Sequence, residues 1–480
     1  MNEDKGTART PRVPFILVRS WNFIRQVLSN KLALVGAVML FVFVFMAAAA
    51  PILTPYPPQG QVVSGPLAAP VWVKYFRGDA GLSENVNFAN PTASAGTGVT
   101  LNSQTPNGAD SVKMLVTTAS GGPVAVKESV NYPYTGSPLR FIGGVGMTLP
   151  GTSTGNITAL LFVDRYDSNN QFLKRYDLWT FSGPANSTFR EGIDSYNQEL
   201  LAILGISGAG TSAPDFIFSA PGQYVYTFEI TLPAGFNGNI LVQNFELQLF
   251  GNTFGNLGTD AGGQDIFTQF VYGARLSLYV GLFATFIGIG LGLVIGLMAG
   301  YLGKFVDEVL MRFTDMMLVI PTLPLLIVLS FILGPSINTV VLILGFLGWM
   351  GFARLVRSQV LSLRERPFIE AAKASGAGTS YILTKHVFPN IIALLYVNLA
   401  LSVPAAIVSE AALSFLGLGD QSLITWGKML ELARSAGTTT GLTWWWIIPP
   451  GLGIALLSLS FILIGYSLDE LFNPRLRRRR

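Results

Sequence analysis

The chain has 480 residues, half of them hydrophobic and 12% charged, with a formal net charge of +4 and a mean hydropathy of +0.47. So much apolar side chain with so little charge exceeds what a water-soluble chain of this length buries, and predicts several membrane crossings; a charge this small argues against a nucleic-acid partner. With no cysteine and one histidine, His386, disulfides and thiolate metal sites are excluded, and a histidine-ligated zinc centre or a Ser-His-Asp triad has too few residues to draw on.

Met1 to Lys31 is polar and carries Lys5, Arg9, Arg12, Arg19, Arg25 and Lys31. The apolar run from Leu32 to Pro51 has about the 20 residues that cross a bilayer core, and the basic tail before it is expected on the cytoplasmic side. A cleaved signal peptide ending near Ala47 to Ala50 is the alternative, but the run and its tail are long for one.

From Thr54 to about Gly262 the chain turns rich in Gly, Ser, Thr, Asn and Pro. Tyr224, Tyr226, Phe228, Ile230 and Leu232 alternate with their neighbours at the period of a half-buried strand, as do Phe245, Leu247 and Leu249. Further strands are predicted over Val112–Thr118, Leu139–Leu149, Asn156–Tyr166 and Phe172–Phe181, the last two joined by a turn at Ser168, Asn169 and Asn170. With one helix near Ser195 to Leu204, this predicts an all-β sandwich of about 200 residues. Asp164, Asp167 and Asn169 admit a calcium site or a plain polar hairpin, and Tyr176, Trp179 and Tyr226 admit sugar stacking or a core role.

The remaining chain alternates apolar runs with basic or polar segments. Spans are predicted over Leu276–Met298, with Gly288, Gly290, Gly292 and Gly296 leaving small faces for helix packing, and over Met316–Leu333 and Ile337–Phe352, split by Gly334, Pro335 and Ser336. Pro321 and Pro324 should bend the first of that pair. Ile391–Leu416, carrying Glu410, and Ile447–Leu468 complete six spans. A carboxylate within a span is costly unless it faces protein or water, so Glu410 is either a group on the translocation path or a structural hydrogen-bond partner. Gly303 and Lys304 do not make a phosphate loop, because Phe305 stands where Ser or Thr is needed. Trp444, Trp445 and Trp446 are expected to anchor at the membrane interface, and Lys428 to Arg434 to form an amphipathic piece before them.

Arg354, Arg357, Arg364 and Arg366 lead into Glu370 to Asn390, which begins with helix formers, meets Gly376 and Gly378, and ends at Pro389 before the next apolar run. A helix, a turn and a second short helix closed by Pro389 are predicted, in the cytoplasm by the basic cluster. The pattern Glu370, Ala371, Ala372, Gly376, Pro389 resembles the coupling loop of permease subunits in binding-protein-dependent ABC importers. Gly258 to Asp265 with Tyr272 to Leu278, and the segment from Ser409 to Gly419, are similar to the second permease of the dipeptide and oligopeptide (and nickel) importers, although that family usually has Arg where Gln264 stands.

The resemblance covers nearly all of Gly258 to Arg477 and implies a six-helix type I importer permease in the cell membrane; Thr54 to Phe254 lies outside it and reads from its own pattern as an extracytoplasmic β insert, and the basic tails agree with both termini being cytoplasmic. Together these readings divide the chain into a tail over 1–31, a first span over 32–52, an inserted domain over 53–262, a core over 263–472 with its coupling loop at 364–390, and a basic tail over 473–480. The resemblance implies no cofactor or metal of the chain's own, ATP being bound by two ATP-binding partner subunits, and a second permease, an extracytoplasmic substrate-binding protein and membrane lipid as further partners. Di- or oligopeptides are the implied cargo; oligosaccharides or metal chelates are the alternative within the family. A membrane-anchored sensor or adhesion protein working through the β segment is the alternative outside it.

Overall fold

The computed structural model describes residues 26, 29–77, 81–88, 91–104, 111–118, 120–149, 155–167, 169–206, 211–437 and 443–472. The chain splits into two compact units, Met1–Pro55 with Thr268–Arg480, and Tyr56–Phe267. Most of the basic N-terminal tail, the C-terminal tail from residue 473 and Ser168 lie outside the described residues.

In the first unit, α1 (Lys31–Ala48) starts where Asn30 accepts a hydrogen bond from the Leu32 amide. It is followed by α2 (Ile266–Leu302), α3 (Lys304–Val319), α4 (Thr322–Leu333), α5 (Ile337–Leu347), α6 (Met350–Arg364), α7 (Pro367–Ala374), α8 (Phe388–Phe415), α9 (Trp426–Ser435) and α10 (Trp444–Phe472). Among the described residues five stretches, Lys31–Ala48, Ile266–Leu302, Ile337–Arg364, Thr379–Phe415 and Trp444–Phe472, are long and apolar enough to cross a membrane, and α3 with α4 is a sixth only if that bent pair counts as one.

The expected span Met316–Leu333 is not one helix: α3 and α4 meet at 88°. Pro321 has no N–H for the helical ladder and pushes Ile320 to an extended conformation, φ −69° and ψ 126°, so the bend becomes a break. Pro389 acts in the opposite sense to expectation. Helix continues from Thr379 to Phe415 through a π turn at Leu383–Val387, in which the Phe388 amide reaches back to the Leu383 carbonyl. The Asn390 side chain donates to the His386 carbonyl at 2.6 Å, occupying one acceptor near the proline.

Close helix approach comes from Gly288, Gly292, Gly296 and Gly300 on α2. A Cβ added at Gly292 or Gly296 would lie 2.7 Å from the Trp349 carbonyl or 2.6 Å from that of Ala353, whereas one at Gly290 would meet nothing. Gly290 therefore lies off the packing stripe, and Gly300, four residues beyond Gly296, extends it. Of the three tryptophans expected as an interfacial anchor, only Trp444 is exposed; Trp445 and Trp446 are buried, since successive residues on a helix point about 100° apart.

Among the described residues the second unit contains two antiparallel sheets around one apolar core. Its strands are β1 (Val86–Asn87), β2 (Thr92–Ala95), β3 (Val99–Gln104), β4 (Val112–Thr118), β5 (Gly122–Tyr132), β6 (Arg140–Thr148), β7 (Asn156–Tyr166), β8 (Phe172–Pro184), β9 (Thr188–Asp194), β10 (Gly222–Leu232) and β11 (Asn237–Phe250). One sheet runs β3-β4-β11-β6-β9 with β1 also on β11, and the other β2-β5-β10-β7-β8. Tyr226 on β10 stacks on Phe245 of β11 with ring centroids 4.7 Å apart, joining the sheets.

The expected helix near Ser195 is shorter, Gln198–Ile203, because Asn197 caps it by accepting from the Glu199 amide. Near the ends of this unit, the amides of Val63, Leu67, Ala69 and Val71 donate to the carbonyls of Gly263, Asp260, Asn252 and Gly255, so its first and last segments lie side by side.

Candidate functional site

The hairpin after α6 is built from a few apolar anchors and an otherwise exposed surface. Pro367 occupies the first turn of α7, where its missing N–H costs nothing, while Glu370 near the start and Lys373 near the end complement the helix dipole. The helix ends in a Schellman motif: the Gly376 amide donates to the Lys373 carbonyl at 2.9 Å and the Ala377 amide to that of Ala372 at 3.0 Å. Gly376 sits at φ +78°, and a Cβ there would meet nothing within 4 Å, so its requirement is conformational and not one of space.

Ile369, Ile382 and Val387 are buried in one cluster with Ile289 of α2, Phe352, Val356 and Val360 of α6, and Ile391 of α8. The Lys373 ammonium lies over the Tyr301 ring at 5.7 Å, and Arg364 donates to the Tyr301 carbonyl at 3.3 Å. Glu370, Ala371, Gly376 and Pro389 are exposed, with Ala372 half-buried beside the cluster. Phe368 and Tyr381, 43% and 55% exposed, flank His386, with Tyr381 meeting it edge-on at 5.7 Å. The five residues of the motif thus lie in one hairpin, and His386 belongs to its π turn. Sequence reasoning missed the anchors Ile369, Ile382 and Val387 and the exposed aromatics; the wide spacing of the three aliphatic positions within a polar stretch was the available signal.

The arginines leading into the hairpin are partly engaged. Arg357 makes a two-pronged ion pair with Asp307 of α3, at 2.5 and 2.6 Å, and Arg354 pairs with Asp315 of the same helix. These contacts tie α3 to α6 and could not be read from the sequence, where the carboxylates lie some 40–50 residues away.

Glu410, in α8, is 1% exposed and accepts a hydrogen bond from Ser414 at 2.7 Å, while its other carboxylate oxygen is buried without a hydrogen-bond partner. It does not line the cavity of about 220 Å³ among the membrane helices, which Ser409 does. In the β unit, Asp164 is held by Arg175 at 2.8 and 3.0 Å, and Asp167 accepts from the Asn169 and Gln171 amides. No cluster of three or more metal-ligating side chains occurs among the described residues. Tyr226 and Tyr176 are core, and Trp179 packs half-buried against Phe181 and Phe189.

Residues 292–478 match the family of binding-protein-dependent transport system inner membrane components, and residues 20–70 the N-terminal transmembrane domain of oligopeptide transport permease C. The chain is 42% identical over 221 residues to the dipeptide transport system permease protein DppC of Alkalihalophilus pseudofirmus, covering 46% of this chain and 72% of that protein. It is 39% identical to the protein of the same description from Bacillus subtilis, over 46% of this chain and 69% of that one. To the oligopeptide transport system permease protein OppC of Bacillus subtilis it is 35% identical, over 46% and 72%. Among solved structures it is similar to the inward facing MetNI methionine ABC transporter, at 20% identity and a TM-score of 0.33, over 42% of this chain and 94% of that one. At 35–42% identity over more than two thirds of these dipeptide and oligopeptide permeases, and with the family match over residues 292–478, the chain belongs to the family of inner-membrane permease components of binding-protein-dependent ABC transport systems.

Proposed function

We propose that this chain is the second permease subunit of an importer for di- or oligopeptides, working with another permease, two ATP-binding subunits and an extracytoplasmic substrate-binding protein. The observation that carries the reading is the identity to dipeptide and oligopeptide permeases, beside a family match over residues 292–478 that includes the whole hairpin. The subunit is not itself the ATPase of such a system. In this reading the tails at 1–31 and 473–480 are cytoplasmic, spans cover 32–52 and the 263–472 core, and residues 53–262 are an extracytoplasmic β-sandwich insert.

The hairpin over 364–390 docks on an ATP-binding subunit through its exposed side, Glu370, Ala371, Phe368 and Tyr381. Closure of the ATPase pair pushes on it, and the buried Ile369, Ile382 and Val387 pass the displacement to α2, α6 and α8, biasing the helices between two access states. Pro389 with its π turn keeps the lever continuous with α8, within which Glu410 accepts from Ser414. The test is uptake of labelled dipeptide and ATP hydrolysis by vesicles containing the assembled transporter. Gly376→Val forces a branched side chain into the left-handed region, where strain is about 1–2 kcal/mol or more. It should leave the subunit in the membrane while ATP hydrolysis no longer drives uptake; wild-type uptake in that variant removes the coupling role. Absence of peptide uptake by the intact assembly overturns the cargo.

A further inference from the structure

We propose that the aromatic side chains of the short helical segment over Val71–Arg77 insert into the headgroup layer of the membrane, giving residues 56–267 an attachment to lipid besides their two chain connections to the spans. The segment is a 3₁₀ turn, Val71–Val73, running into a helical turn, Lys74–Arg77. Tyr75 and Phe76 are 85% and 82% exposed, more than any other large apolar side chain described between residues 56 and 267. Trp72, one turn back, meets the Phe76 ring edge-on at 6.0 Å, and its indole N–H donates to the Asn256 carbonyl at 2.8 Å, so the polar atom of the ring is satisfied and the rest is apolar surface. Lys74 fastens the segment down: it pairs with Glu84 at 2.6 Å and lies over the Tyr134 ring at 5.5 Å. The rings are thus held outward on a fixed support.

The distance of this segment from the bilayer follows from hydrogen bonds along the chain. Lys31–Ala48 and Ala50–Leu53 together rise about 33 Å at 1.5 Å per residue, the thickness of a bilayer core. Thr54, the next residue, shares a hydroxyl hydrogen bond with Thr268, so Thr268 stands at the end of that crossing and Ile266, which opens α2, about 3 Å further out. The Ile266 amide donates to the Gly258 carbonyl, the Gly258 amide closes a turn onto the Phe254 carbonyl, and Asn256 within that turn holds Trp72. These links keep the indole within about 15 Å of Ile266, close enough for the segment to lie along the headgroup layer, which adds about 5–8 Å to each face of the core.

The three rings offer on the order of 450 Å² together, short of the roughly 800 Å² that each side of a stable protein complex contributes. Trp and Tyr gain from a headgroup layer singly, with no matching groove, and Phe reaches into the acyl boundary. A lipid surface is the partner that these side chains fit.

The chain has no cysteine, so Tyr75→Cys and Asn237→Cys each give it a single thiol. Asn237 opens β11, about 40 Å along that strand from Phe250, and so reports on a distant part of the β unit. The full chain, labelled with bimane, is placed in phosphatidylcholine nanodiscs with and without lipid that carries a nitroxide near the glycerol end of an acyl chain. Emission from the Tyr75→Cys label should fall severalfold with the nitroxide lipid, and emission from the Asn237→Cys label should not change. Adding Phe76→Glu to Tyr75→Cys should remove most of the quenching, and adding Phe76→Trp should keep it. No quenching at the Tyr75→Cys label, equal quenching at both labels, or quenching indifferent to Phe76→Glu overturns the lipid contact. Repeating the measurement in the assembled transporter separates a protein partner: quenching that disappears when the other subunits and the binding protein are present assigns the rings to a protein surface and overturns the proposal.

Discussion

The two units of this chain bury their apolar side chains in different ways. Residues 56–267 contain one contiguous core in which Tyr132, Tyr224, Tyr226, Phe141, Phe218, Phe228 and Phe245 are nearly or wholly buried. The membrane helices instead contain several separate clusters of mostly aliphatic residues, joined by close approaches at glycine and by a few polar contacts. A single core fails as a whole when one large ring is removed. Separate clusters allow one group of helices to shift while another holds, which suits an element that must occupy two arrangements.

The widest separation between the units should come from Phe245→Ala, which removes the ring stacked on Tyr226 at the centre of both sheets. A loss of about 3–5 kcal/mol is expected, and protease digestion of the full chain should cut within residues 56–267 while the helices stay intact. If the helices are cleaved equally, the units are not independent. Next in size, Gly296→Leu places a side chain against the Ala353 carbonyl, where even a Cβ would be 2.6 Å away. It should cost about 1–3 kcal/mol and lower thermal stability of the membrane unit without changing digestion of the β unit.

The ion pair between Asp307 and Arg357 tests how α3 is held. Their side chains are 17% and 35% exposed, so screening limits the pair to about 1 kcal/mol even with two-pronged geometry. In a double-mutant cycle, Asp307→Asn and Arg357→Gln should show a coupling near that value. Independent effects would mean that this pair does not help to place α3, leaving packing and the pair between Arg354 and Asp315.

Legibility followed the same division. Val112–Thr118 was visible because its burial alternates strictly, and Asn156–Tyr166 because a long apolar run is bounded by turn residues. Gly122–Tyr132 escaped because Gly121, Gly122 and Pro123 read as a turn and because Val124, Ala125 and Val126 are all buried, which breaks the period of two. Thr92–Ala95, Val99–Gln104 and Thr188–Asp194 have too few apolar residues to announce themselves, and are strands through pairing with β5, β4 and β6. In the membrane unit the apolar runs and the hairpin motif were readable locally. The helix break was foreseen only as a bend, since its depth depends on Ile320 yielding to Pro321. The cavity among the membrane helices was not readable, because its lining residues come from segments between residues 284 and 409.

Asp420 offers the smallest and most local test of the polar contacts that stand in for a single core. The first residue of α5, Ile337, has Ser336 before it, but the Ser336 side chain makes no cap; the Asp420 carboxylate accepts from the Ile337 amide at 3.2 Å and from the Ser422 amide and hydroxyl. Partial burial pushes this carboxyl up, yet the hydrogen bonds from Ser422 and Ile337 outweigh it and hold it below its ordinary value. A group depressed in the folded state contributes stability that is whole above its unfolded value, about 4, and is lost as the pH falls through the folded value. Asp420→Ala should therefore cost about 0.5–1 kcal/mol at pH 7, as removal of a helix cap does. The difference between wild type and variant in thermal unfolding should shrink at pH 3, where the wild type also loses its charged acceptor. A difference that stays constant from pH 7 to pH 3 would assign the effect to packing of the loop and not to the cap.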